Sequence, residues 1–119
     1  MPIRSYKDLD VYQDSYASAL EVHGVTKSFP GSERFELGSQ LRRAAMSIPL
    51  NIAEGYGRKR SSAEFKRFLS ISAGSCNEVQ VILDFVYDLG YIAKEAHENL
   101  IERYASIGRR LYALIESWQ

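Results

Sequence analysis

The segment Lys94–Trp118 reads KEAHENLIERYASIGRRLYALIESW, and within it Leu100, Tyr104, Ile107, Leu111, Leu114 and Trp118 recur at steps of 4, 3, 4, 3 and 4. Steps of three and four residues place side chains on one face of a helix, and their alternation makes a narrow apolar seam suited to lengthwise packing. Upstream, Leu69, Ser72, Cys76, Val79, Leu83 and Val86 form a second seam at steps of 3, 4, 3, 4 and 3. Two such helices in succession outline a bundle.

Three breaks punctuate the chain: Phe29-Pro30-Gly31-Ser32, Gly55-Tyr56-Gly57-Arg58 and Leu89-Gly90-Tyr91. They predict helices over about 6–28, 33–56, 62–89 and 93–118. In the first, Ser5 caps the start, Asp8 sits in the first turn, and Leu9, Tyr12, Tyr16, Ala19 and Leu20 form the inner stripe. In the second, Leu37, Leu41, Ala44, Ala45, Ile48 and Ile52 share a face that continues through Pro49. A proline there frees the carbonyl of Ala45, so the expectation is a bend without a break, with water or a nearby serine taking that carbonyl. Ser61-Ser62-Ala63-Glu64 has the pattern of a reciprocal capping box for the third helix, and Gly90 supplies its left-handed stop. No window alternates as a half-buried strand does. Links of four or five residues make successive helices antiparallel. The fold expected is all-α, an up-down-up-down four-helix bundle with residues 1–119 as a single domain.

Composition agrees. Of 119 residues, 45% are hydrophobic and 25% charged, which excludes disorder. The longest apolar run is the five residues Leu111–Ile115, far short of a membrane span. The opening Met1–Lys7 has no apolar signal core, and the one cysteine, Cys76, has no intrachain partner; a cytoplasmic protein without membrane contact is expected. Net charge is zero but uneven: −2 over residues 1–38, +5 over 39–76 and −3 over 77–119. A neutral total speaks against a strongly electrostatic nucleic-acid binder, while the basic middle leaves room for a local anion site.

Catalytic and metal patterns fail on spacing. The two histidines, His23 and His97, are preceded at the Glu-x-x-His position by Leu20 and Lys94, and no second histidine follows His97-Glu98 at the zinc-protease spacing. Cys76 falls on an inner seam and reads as a small buried thiol. No catalytic residue, metal or cofactor is expected. Gly55-Tyr56-Gly57 before Arg58-Lys59-Arg60 has a faint look of a phosphate loop, but it follows a helix and lacks the Gly-Lys-Ser/Thr ending. It reads either as a helix stop with basic side chains answering the helix dipole, or as an anion or RNA contact next to the start of the third helix. The nucleic-acid candidates are Arg58, Lys59, Arg60, Lys66 and Arg67, with Arg42 and Arg43 weaker. Glu54 stands three turns from Arg43 on the same helix, so any pairing between these two is expected to join helices or subunits.

The last two helices carry more apolar surface than one seam uses. Ile71, Ile82, Phe85 and Leu89 flank the third helix's stripe, and Ile101, Ala105, Gly108, Tyr112 and Ile115 make a second stripe on the fourth. Either the monomer stripe is wide, or a second buried surface exists in a homo-oligomer; the latter is favoured because small soluble domains rarely expose large apolar patches. The interface candidates are Ile101, Gly108, Tyr112, Ile115, Ile82 and Phe85.

Phe29-Pro30, Glu33, Phe35, Leu37, Gln40-Leu41-Arg42-Arg43-Ala44-Ala45, Ser47-Ile48-Pro49 and Asn51-Ile52-Ala53-Glu54-Gly55 form one string, continued by Phe65, Phe68-Leu69, Gly74-Ser75, Glu78 and Leu89-Gly90-Tyr91-Ile92. The string resembles the bacterial four-helix-bundle family named for open reading frames in 23S rRNA intervening sequences, over about residues 6–115. The resemblance implies a ring-like homopentamer and kinship with accessory proteins of diversity-generating retroelements, which are basic pentameric barrels that bind RNA and a reverse transcriptase. This chain departs from that branch in being neutral. The expected function is a non-enzymatic oligomeric scaffold that binds RNA or a protein partner through the basic segment. The alternatives are a module with protein partners only, or a small-ligand or enzyme site between subunits.

Overall fold

A computed structural model describes residues 2–119; Met1, the first residue of the domain expected over 1–119, lies outside the described residues. Four α-helices occur among the described residues: α1 (Asp10–Thr26), α2 (Leu37–Gly57), α3 (Ser62–Asp88) and α4 (Lys94–Ser117). The molecule measures 45 × 22 × 21 Å. A helix of 27 residues such as α3 is about 40 Å long. The helices therefore lie along the long axis. Links of four and five residues, 58–61 and 89–93, reverse α3 and α4 as expected, while the first link, 27–36, runs to ten residues because it holds a 3-10 turn. The result is the expected antiparallel four-helix bundle.

Both early helices begin about four residues later than their apolar period suggests, for local reasons. Ser5 Oγ accepts from the Lys7 N–H at 3.1 Å, and Asp8 Oδ2 accepts from the N–H groups of Ser5 and Arg4 at 3.1 and 2.8 Å. This capping box closes only a 3-10 turn, Tyr6–Asp8; Leu9 is extended, and α1 starts at Asp10. Likewise Gly31, at φ +41°, opens a 3-10 turn over Gly31–Arg34 before α2 begins.

The seams of α2, α3 and α4 close on one core. Leu41, Ile48, Ile52, Phe65, Leu69, Leu83, Leu100, Tyr104, Ile107 and Leu111 are all fully buried. Pro49 lies inside an unbroken α2, as its apolar register requires. The serines nearby do not take the Ala45 carbonyl, however. Ser47 Oγ donates to the Ala44 carbonyl at 2.7 Å and Ser72 Oγ to that of Ile48 at 2.9 Å. At the far end of α3, Gly90 adopts φ +82°, which lets the Tyr91 N–H reach back to the Val86 carbonyl at 2.8 Å.

The inner face of α1 is only partly the one expected: Leu9 is buried and Tyr12 and Ala19 pack half-buried against the core. Val11, Ser15, Ser18, Val22 and Thr26 face the core, whereas Tyr16 and Leu20 are 52% and 62% exposed. Small residues let α1 approach closely. Two of their hydroxyls are satisfied within the helix itself, Ser15 on the Tyr12 carbonyl and Thr26 on that of His23, so burying them costs little. Ion pairs hold the same helix to α4: Arg110 with Asp10 and Asp14 at 3.0 and 2.7 Å, and Arg103 with Glu21.

Candidate nucleic-acid interface at one end of the bundle

The link between α2 and α3 is one tight turn, Arg58–Ser61, at the end of the bundle that also holds Trp118. Behind it Tyr56, Phe65 and Trp118 pack edge to face, with ring centroids 6.1 and 4.7 Å apart. This plug sets the turn outward, so that Arg58, Lys59 and Arg60 are all exposed. One turn into α3, Lys66 and Arg67 join them. Five of the seven cationic candidates thus share one end. Arg42 and Arg43 do not, because Arg42 lies sixteen residues, about 24 Å, up α2 from Arg58.

Arg42 has a structural task. Its Nη1 donates to Thr26 Oγ1 at 2.8 Å and its Nη2 to the Arg34 carbonyl at 3.2 Å, tying the start of α2 to the end of α1. Glu54 pairs with Arg58, four residues on in its own helix, at 2.9 Å, and not with Arg42 or Arg43 or across helices. The capping box at Ser61 forms only by half. Ser61 Oγ accepts from the Glu64 N–H at 3.2 Å, but the Glu64 carboxylate is drawn away to Arg67 at 3.0 Å and Arg58 at 3.6 Å. The Ser61 N–H donates instead to the Arg58 carbonyl.

These contacts organise the cations. The Arg58 and Arg67 guanidinium groups stand 5.3 and 4.5 Å from the centroid of the Phe68 ring, and Lys59 Nζ sits 4.4 Å from that of Tyr56. The hydrogen bond from Arg67, more than the field of Arg67 and Arg58, holds the Glu64 carboxyl below the usual carboxylate range. The same bond raises Arg67 above the ordinary arginine value. Five cations against Glu54 and Glu64 leave a local excess of three positive charges on a neutral chain. Arg60 and Lys66 take no part in the ion pairs among the described residues. The arrangement is suited to a phosphate backbone.

The interface candidates scatter. Ile82 is only 5% exposed and belongs to its own chain's core, so it offers nothing to another copy. Gly108 faces α3, where an added Cβ would stand 3.7 Å from Cys76 Cβ, so the close approach it permits is within the chain. Ile101 and Ile115 are half-buried; Tyr112 and Phe85 are exposed, on different helices. The periodicity missed a groove of about 410 Å³ between α1 and α2, lined by Tyr12, Tyr16, Leu20, Met46 and Leu50 among others. The signal lies in Tyr16–Leu20 and Met46–Leu50, apolar pairs four residues apart, of which the first has the spacing of a core pair.

Other reactive side chains are engaged. Burial pushes the Cys76 thiol up to about 12. His97 stacks on Tyr87 and lies 2.8 Å from Asp84 Oδ1. Among the described residues no three metal-ligating side chains converge, and no helix is long and apolar enough to cross a membrane. The Ser-Ile-x-x-Asn-Ile-Ala-Glu-Gly stretch serves packing. Ser47 Oγ also meets Ser75 Oγ of α3 at 2.7 Å, Asn51 Nδ2 donates to the Ser47 carbonyl, and Gly55 lets α3 come close.

With this geometry in view, comparison with known proteins places the fold. The model of the 23S rRNA-intervening sequence protein family matches residues 7–113. The chain belongs to this family. No curated protein matches it. A solved structure from Bacteroides thetaiotaomicron, described as a protein with unknown function from the S23 ribosomal protein family, superposes with a TM-score of 0.81 at 25% identity, covering 90% of this chain and 96% of that one. Family membership thus extends over the bundle and its basic end alike.

Proposed function

We propose that the protein is a non-enzymatic, cytoplasmic scaffold that assembles with copies of itself, as a pentamer on the family resemblance, and binds RNA through the end formed by Arg58, Lys59, Arg60, Lys66 and Arg67. The observation that carries this reading is the local excess of positive charge set on one turn by the aromatic plug. Cyclic assembly repeats the cluster in every subunit and gives a neutral protein a positive rim. The carboxylates of the site are spent in ion pairs that orient arginines, a role in binding and not in proton transfer. A partner made only of protein is the second reading, favoured by the exposed apolar groove between α1 and α2.

Filter binding of a single-stranded RNA at 50 and 200 mM salt tests the proposal. Retention at 50 mM that weakens roughly tenfold or more at 200 mM supports it. Replacing Arg58, Lys59 and Arg60 by glutamate abolishes retention and leaves the assembly intact. No retention by the wild-type protein at 50 mM overturns the RNA reading and makes a protein partner the leading alternative.

A further inference from the structure

Two exposed apolar surfaces remain on the bundle, and they are unlike. One is concave: the groove between α1 and α2, where Tyr16, Leu20, Met46 and Leu50 are about half or more exposed. The other is a ridge on the outer face of α3, where Ile71, Val81, Phe85 and Leu89 recur with Gly74 and Glu78 between them. A groove and a ridge on different sides of one molecule do not satisfy each other by a two-fold axis. They match head to tail, and such contacts close into rings when the rotation permits. Adjacent sides of a four-helix bundle meet at about a right angle, the relation that closes a ring of roughly four to six copies.

The heights agree. α2 ends and α3 starts at the same end of the bundle, so positions are counted from Gly57 and Ser62 at about 1.5 Å per residue. Leu50 and Ile71 stand about 10 and 14 Å up, Met46 and Gly74 about 16 and 18 Å, and Arg43 and Glu78 about 21 and 24 Å. A ring axis along the bundle keeps these heights, so each α2 residue meets its α3 counterpart from the next copy. The chemistry agrees as well. Gly74 has open space where a side chain would stand, room for Met46. Arg43 and Glu78 are exposed, opposite in charge and outside the ion pairs among the described residues.

We propose that the α3 ridge of one copy docks in the α1/α2 groove of the next, with Leu50 against Ile71 and Arg43 paired with Glu78. This rests on the self-assembly proposed above and names its surfaces. The test uses cysteine variants of the full chain, in which the native Cys76 is buried and silent. Leu50→Cys and Ile71→Cys copies with different tags, co-expressed and oxidised, yield a disulfide-linked heterodimer, and neither variant expressed alone yields a dimer. Met46→Cys with Gly74→Cys is the second pair, used if a member of the first fails to fold by circular dichroism. Arg43→Glu and Glu78→Arg each raise the concentration at which copies dissociate by about fivefold or more, and the double variant restores it. Self-linking of Leu50→Cys alone overturns the head-to-tail arrangement. A protein that assembles without cross-linking in either mixed pair, or without rescue in the double charge variant, overturns these surfaces but leaves self-assembly standing. A wild-type monomer at tens of micromolar by sedimentation equilibrium overturns both.

Discussion

A methyl group added at Gly55 would stand 2.6 Å from Phe68 Cβ and 3.1 Å from a Phe65 ring carbon, whereas one at Gly57, two residues on, would meet nothing within 4 Å. The two glycines therefore answer differently to the same change. Gly55→Ala forces α2 away from α3 and destabilises by about 1–3 kcal/mol, the usual cost of overpacking. Gly57→Ala is neutral or stabilising by up to about 1 kcal/mol, because alanine restricts the unfolded chain. Urea unfolding with unchanged slope distinguishes them through the midpoint alone. Cys76 gives a second test at this scale. Its burial raises the pKa to about 12, so the thiolate that alkylating reagents need is essentially absent at pH 8. Iodoacetamide is expected to leave the native protein unlabelled and to label it fully once urea unfolds it.

Among the elements, α1 differs from the rest. The large apolar residues of α1 itself that are buried are Val11 and Val22, while α3 buries Phe65, Leu69, Val79, Ile82, Leu83 and Val86. The rest of the hold on α1 comes from Tyr12, Ala19 and Val25 packed half-buried against the core, the Arg42–Thr26 hydrogen bond, and ion pairs to Arg103 and Arg110 of α4. Ion pairs at a partly exposed surface are screened by salt, whereas apolar contacts are not. Amide hydrogen exchange is therefore expected to be faster in α1 than in α3, with the gap widening in 0.5 M salt and on Arg110→Met; equal protection in both helices would contradict this account. The same contrast explains what the sequence made legible. α3 and α4 announce themselves because large apolar residues mark their buried faces, and α2 keeps its register through Pro49. The period of α1 misled in part because its buried face mixes serine and threonine with Val11 and Val22, and Tyr16 and Leu20 of its apolar stripe are exposed. Glu54 with Arg58 was readable as a helical pair four residues apart. The diversion of Glu64 from its cap was not, since it depends on Arg58 and Arg67 converging on Phe68 in three dimensions.

Over the whole molecule, zero net charge conceals a polarity: +5 in residues 39–76 against −2 and −3 in the flanking segments. The acidic residues of the first segment serve partly as partners for α4, as Asp10, Asp14 and Glu21 do, so they stay with the α1–α4 side and leave the α2–α3 turn positive. Glu64 then acts as the governor of that turn, because it engages two of the five cations. Glu64→Gln removes one negative charge and frees Arg67 to meet phosphate, while Arg58 keeps its pair with Glu54. The expected outcome is tighter RNA retention at 50 mM salt and a log–log salt slope steeper by about 0.7–0.9, the value of one more neutralised phosphate. The sign follows for pH as well. Arg67 holds the Glu64 carboxyl below the usual range, so in the wild type its charge is kept as pH falls through the ordinary carboxylate values near 4.3 and is lost only below them. The contribution of this pair to stability is therefore present above about pH 4.3 and fades on acidification through the lower, folded-state value. Filter binding of wild type and Glu64→Gln in parallel over 50–200 mM salt reads both affinity and slope. Weaker binding by the variant, with its fold intact by circular dichroism, would mean that Glu64 positions the arginines for phosphate more than it competes for them.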